Sequence, residues 1–175
     1  MNAIDILREQ LQEAQGLLEG TIEGVSNEQA SWKPGGTANP IGATYAHAVL
    51  SVDMAFNMLL RESPMLATTD RASQTGLTEL PPGGGSPGAW GEWGRTVEVD
   101  LTVLRDYAHA VFADAYRYLE GLPANAAERP VDLSAVGFGK KTLGWVVSTT
   151  IMNVNLHCGE VACLKGLQGL SGYPV

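Results

Sequence analysis

Apolar residues recur at threes and fours along four separate stretches of the chain, and each stretch reads as a long amphipathic helix. In the first, over residues 4–23, Ile4, Leu7, Leu11, Ala14, Leu17 and Leu18 make the stripe, with charged and amide residues between them. Asp5 and Glu9 lie near its start, where the helix dipole favours carboxylates. Asn39-Pro40 reads as the cap and first position of the second helix, which runs to Arg61. Its stripe is Ile41, Tyr45, Ala48, Val52, Ala55 or Phe56, and Leu59, and its polar side is Asp53, Asn57 and Arg61. The third helix spans Gly94 to Glu120. Val97, Leu101, Leu104, Ala108, Val111, Ala115 and Tyr118 form its seam, and Gly121-Leu122-Pro123 stops it. The fourth, from Lys141 to Leu167, is mostly apolar.

The connections are less regular. SNEQ, early in the first of them, suits a short helical turn. Residues 63–92 carry Pro64, Pro81, Pro82, Pro87 and the Gly83–Gly85 run, which rule out long elements. A stretch of this length is typically mobile or a lid over a site, and Trp90 and Trp93 anchor its end. Residues 124–140 form a crossover with room for a short extended pair. With no internal repeat, phosphate loop or CxxC, the pattern predicts an all-α bundle in a single domain over residues 1–175. The stripes of the last three helices are wide enough to want burial on more than one side, which predicts a homodimer.

Charge narrows the partners. The net charge is -8 and the isoelectric point about 4.8, with no cluster of Lys or Arg. Nucleic acid and anionic membranes are bound largely through phosphate neutralisation, so both are excluded as partners. Cys158 and Cys163 are five residues apart on one helix and point about 140° apart, so they do not bridge. Two thiols, and an N-terminus that goes straight into MNAIDILREQL without a signal peptide, predict a cytoplasmic protein.

The candidate chemistry lies on the fourth helix. Stepping about 100° per residue from His157, Val146, Thr150, Asn153, Val161 and Leu164 fall within about 40° of it, with Glu160 slightly further round. The imidazole therefore points with the apolar side chains, into the fold. The opposite side carries Asn155, Gly159, Ala162 and Gly166, small enough for another helix or subunit to approach. On the second helix, His47 sits at the edge of the apolar face on a flank shared with Ser51, Met54 and Met58. Imidazoles from facing helices are how a bundle builds a divalent-metal site, and how it builds an internal hydrogen-bond cluster. The third histidine, His109, is one residue off its seam and reads as solvated surface. A Cys158–His157 dyad is excluded because successive helical residues diverge by about 100°, and Cys158 reads as a packing residue. Trp32 and Trp145 read as packing as well.

A wider pattern accompanies these residues. SNEQASWKPGGTANPIGATYAHAV places a Trp32-Lys33-Pro34 turn ahead of the helix bearing His47. The last helix carries NVNLHCGE over residues 153–160, followed by LKGLQGLSGYP. In these features the chain resembles, over essentially its whole length, the DinB-like (YfiT-like) superfamily of four-helix metalloproteins. The resemblance implies an up-down-down-up bundle and three histidines that bind a divalent metal, zinc or nickel, with water in the open position. Carried over residue by residue, it makes His47 and His157 the first and third ligands. Asn153 stands where the second histidine would be. An amide oxygen is a weak, neutral, hard ligand. That leaves an altered site using Asn153 or Glu160 with water, a weak site filled only at high metal, or none.

Two functions follow. In the first, the resemblance implies an enzyme that transfers low-molecular-weight thiols, or isomerises or hydrolyses their adducts, with Glu160 as base or orienter. In the second, a non-catalytic dimeric bundle with a degenerate site serves binding or a stress response.

Overall fold

Asn2 opens the first helix by accepting hydrogen bonds from the Ile4 and Asp5 N–H groups, while the Asp5 carboxylate accepts from the Asn2 N–H. The computed structural model describes residues 2–82 and 89–174. Helix α1 runs Ala3–Ile22 and buries Ile4, Leu11, Ala14, Leu18 and Ile22. A single turn, α2 (Asn27–Ser31), follows behind a second capping box between Ser26 and Gln29. Helix α3 spans Ile41–Asp53 and continues as a wider π-helical turn over Met54–Leu59. Next come α4 (Ala89–Thr96), α5 (Leu101–Glu120), an antiparallel hairpin of β1 (Pro130–Leu133) with β2 (Gly139–Thr142), and α6 (Leu143–Leu167).

Side-chain contacts fix the helix directions. Thr21 of α1 meets Cys158 and Lys165 of α6, whereas Ile6 and Glu9 share a groove with Ser148 and Met152, so these two helices run parallel. Gln15 meets Tyr116 and Glu19 meets Arg105, so α5 runs against α1. Asp53 meets Tyr107 and Arg61 meets Asp114, so α3 and α5 are parallel. Around the ring the order is α1, α5, α3, α6, and in chain order the long helices go up, down, down, up. No described helix is long and apolar enough to cross a membrane.

Four local expectations are corrected. Asn39 does not cap α3. Pro40 takes the cap position without a side-chain bond, and the Asn39 amide instead lies against Gly94, where an added Cβ would come within 2.8 Å of it. The third predicted helix is two, because residues 97–100 leave the helix, Val99 forms a bridge with Leu77, and the Asp100 carboxylate caps α5 anew. The polar side of the second helix is not solvated. Asp53 and Asn57 are buried, and Arg61 reaches across to Asp114, because polar side chains that satisfy one another fill this interface as well as apolar ones. The small-residue side of α6 is met in part by the chain's own tail, with Gly172 packing on Ala162 and Tyr173 on Gly159. Gly83–Gly85 and Pro87 lie outside the described residues.

Two buried phenols belong to this interior. Tyr107 donates to Asp53 and Tyr45 to Glu19, and burial, followed by the neighbouring carboxylate, pushes both hydroxyl pKa values well above the ordinary tyrosine range. A phenol whose folded pKa is raised contributes stability that is complete below its unfolded pKa of about 10 and is lost as pH rises beyond it. Urea midpoints should therefore fall steeply above pH about 10, and Tyr107→Phe should remove part of that slope while lowering stability at neutral pH.

Candidate metal centre

His47 stands nearly two turns into α3, and His157 lies opposite it on α6. Their ring centroids are 4.6 Å apart, with the planes at 75°. The α4 helix then closes one side. Its Trp90 ring meets His47 edge to face at 4.4 Å, and Trp93 supports Trp90 at 5.6 Å while donating its indole N–H to the Glu79 carbonyl. His47 is thus enclosed by one imidazole and one indole. Burial, and secondarily the neighbouring His157, push its pKa down to about 4, with Glu160 acting weakly in the opposite direction. Near neutral pH this ring is uncharged and keeps a lone pair for a ligand.

His157 is held from both sides. Glu160, one turn on, lies 2.7 Å from its Nδ1, and the Asn153 Nδ2, one turn back, lies 3.2 Å from its Nε2. A carboxylate at Nδ1 selects the tautomer with the proton there, which leaves the Nε2 lone pair facing Asn153. The Asn153 Oδ1 is enclosed and has no hydrogen-bond partner among the described residues. An enclosed carbonyl oxygen without a donor costs about 1–3 kcal/mol. The structure therefore brings His47, Asn153, His157 and Glu160 together, as the helical spacing predicts.

The remaining candidates lie elsewhere. His109 is mostly exposed, and its nearest carboxylate is Glu19 at 3.8 Å. Cys158 is buried against α1, sharing a 3.2 Å hydrogen bond with Thr21, and burial pushes its thiol pKa up. It faces away from the histidines and is inert packing. Sequence reasoning missed the place of Trp90, which has no periodic signal in a helix of eight residues, and the buried Lys165, whose ammonium donates to the Thr21 carbonyl at 2.6 Å.

As a donor set, two imidazoles and one amide oxygen fit a divalent cation that keeps other positions open. Among the described residues no group of three or more His, Cys, Asp or Glu side chains is placed to hold one metal ion together.

Comparison with known proteins agrees on the architecture. The sequence model of the DinB superfamily matches residues 10–161. A solved structure described as the crystal structure of a conserved protein of locus from Enterococcus faecalis is similar in fold. It has a TM-score of 0.79 at 17% identity, over 95% of this chain and 97% of that one. No curated protein matches the sequence.

Proposed function

Because the chain belongs to the DinB superfamily, we propose that its paired histidines are a divalent-metal centre in which His47, His157 and Asn153 hold zinc or nickel. The observation that carries this reading is the meeting of His47, His157 and Asn153 at one place, with the His157 Nδ1 already held by Glu160. Exchange of the two amide atoms by rotation about the last side-chain bond would bring the oxygen to the place where Nδ2 now meets His157. A cation bound there would supply Lewis acidity, lowering the pKa of a water or low-molecular-weight thiol that shares it. Hydrolysis or thiol transfer is the chemistry such a centre supports. Glu160 acts first as a positioning residue, fixing the tautomer of His157. It is more than half exposed and so can also exchange protons with solvent, as a base must. Trp90 keeps water from one side of His47.

One observation favours a different reading. The Asn153 amide already donates toward the lone pair that a metal would use, so the four side chains also form a hydrogen-bond cluster of their own. A calorimetric titration of metal-free protein with nickel and with zinc separates the two. A metal centre saturates at one site per chain, and Glu160→Ala weakens it by about 10–100-fold, the usual effect of losing a carboxylate behind a ligating histidine. Absence of binding by either metal would leave the cluster as a structural device of a non-catalytic bundle.

A further inference from the structure

A cavity of about 380 Å³ opens beside the histidine pair, between the loop before α3 and the last turns of α6. Its walls include Asn39, Thr44, Glu160, Cys163, Leu164 and Leu167. Glu160 is the connection, since the carboxylate that lines this cavity is the one held against His157 Nδ1. The far wall is tied to the same site through α4. Arg95 donates to the Ala38 carbonyl at 2.8 Å, and the Asn39 amide rests on Gly94, one turn after the Trp90 that covers His47. The cavity and the histidine pair therefore share two walls.

Among the described residues the lining carries one charged group, the Glu160 carboxylate, and no cationic side chain. Glu160 contributes a carboxylate, and the Thr44 hydroxyl already spends its proton on the Pro40 carbonyl. Leu164 and Leu167 supply an apolar face. Such a surface disfavours anions, because a carboxylate ligand would meet Glu160, while Arg95 behind the wall is engaged by the Ala38 carbonyl. It suits a small molecule with an ammonium group at one end and a short hydrocarbon at the other, since charge-assisted N–H donors match these acceptors.

We infer that this cavity is the substrate pocket of the proposed centre and that it selects small, ammonium-bearing, otherwise apolar molecules. The inference rests on the metal-centre reading for its catalytic meaning, but binding in the cavity is measurable without any metal.

The test uses n-butylamine as the probe, with butyrate as its anionic counterpart, followed by two-dimensional amide NMR of the full chain. Butylammonium should shift the signals of Asn39, Thr44, Glu160 and Leu164 in a saturable way, and butyrate should leave them in place. Cys163→Phe, an exposed position on the cavity wall, should fill the space and weaken butylammonium binding by about tenfold or more, while nickel binding is unchanged. Equal effects of the two probes, shifts confined to other parts of the protein, or unaltered amine binding in Cys163→Phe would overturn the inference. Failure of the metal reading looks different: nickel does not bind, yet the amine still shifts the cavity signals.

Discussion

Asp53→Ala lowers the stability of the protein by about 3–5 kcal/mol, the range expected when one partner is removed from a buried charged network. Asp53 is fully buried, and its carboxylate accepts from the backbone N–H of Leu66 at 2.9 Å and of Ala67 at 3.0 Å. It also accepts from the Asn57 amide at 2.8 Å and from the Tyr107 hydroxyl. One side chain thus ties α3 to the following loop and to α5. Alanine leaves all of these donors enclosed without an acceptor, at about 1–3 kcal/mol for each that water cannot reach. Against a total stability of about 5–15 kcal/mol, that is a large share. Urea unfolding should show a much lower midpoint with a similar slope. Tyr107→Phe, which removes a single donor together with its hydroxyl, should cost about 1–2 kcal/mol. A midpoint for Asp53→Ala within error of wild type would mean that the network is not what holds the loop against the bundle.

His157→Ala abolishes metal binding, and it does so without the structural penalty of Asp53→Ala. His157 is partly exposed and, among the described residues, hydrogen-bonds only to Asn153 and Glu160, both neighbours on its own helix. Its loss should leave the urea midpoint within about 1 kcal/mol of wild type. The opposite change is the sharper probe. Asn153→His places a third imidazole one turn before His157, and replacing an amide oxygen by a softer nitrogen donor should tighten nickel and zinc binding by about 100-fold or more. The two variants are expected to move affinity in opposite directions at nearly constant fold stability. If Asn153→His binds no better than wild type, the amide position is not part of the ligand set.

The seams of the long helices and the meeting of His47 with His157 were legible because burial there follows helical periodicity. Leu11, Tyr45, Leu104 and Val161 are all fully buried, and each lies on a stripe the sequence displays. Cys158 reads in the sequence as a packing residue, and it is buried against Thr21 of α1. Interactions that periodicity does not encode were hidden. Asn39 carries the signature of a cap, but it was drawn from that role by packing on Gly94, fifty-odd residues away in sequence but in contact in the fold. Asp53, Asn57 and Arg61 read only as the polar side of the second helix, and nothing in their spacing shows that Tyr107 and Asp114 on α5 satisfy them. The break before α5 depends on a bridge to Leu77, whereas the short extended pair expected in the crossover is present as the hairpin of β1 and β2. Trp90 belongs to the same class, since an eight-residue helix carries too few turns to show which face it presents.

The most direct test of the metal centre is an anomalous difference map from crystals of the wild-type protein soaked in nickel and measured at the nickel edge. The account predicts one strong peak between α3 and α6, within bonding distance of His47, His157 and the Asn153 side-chain oxygen, and no peak in His157→Ala. A map with no peak there, or with nickel held only by surface side chains such as His109, would contradict it.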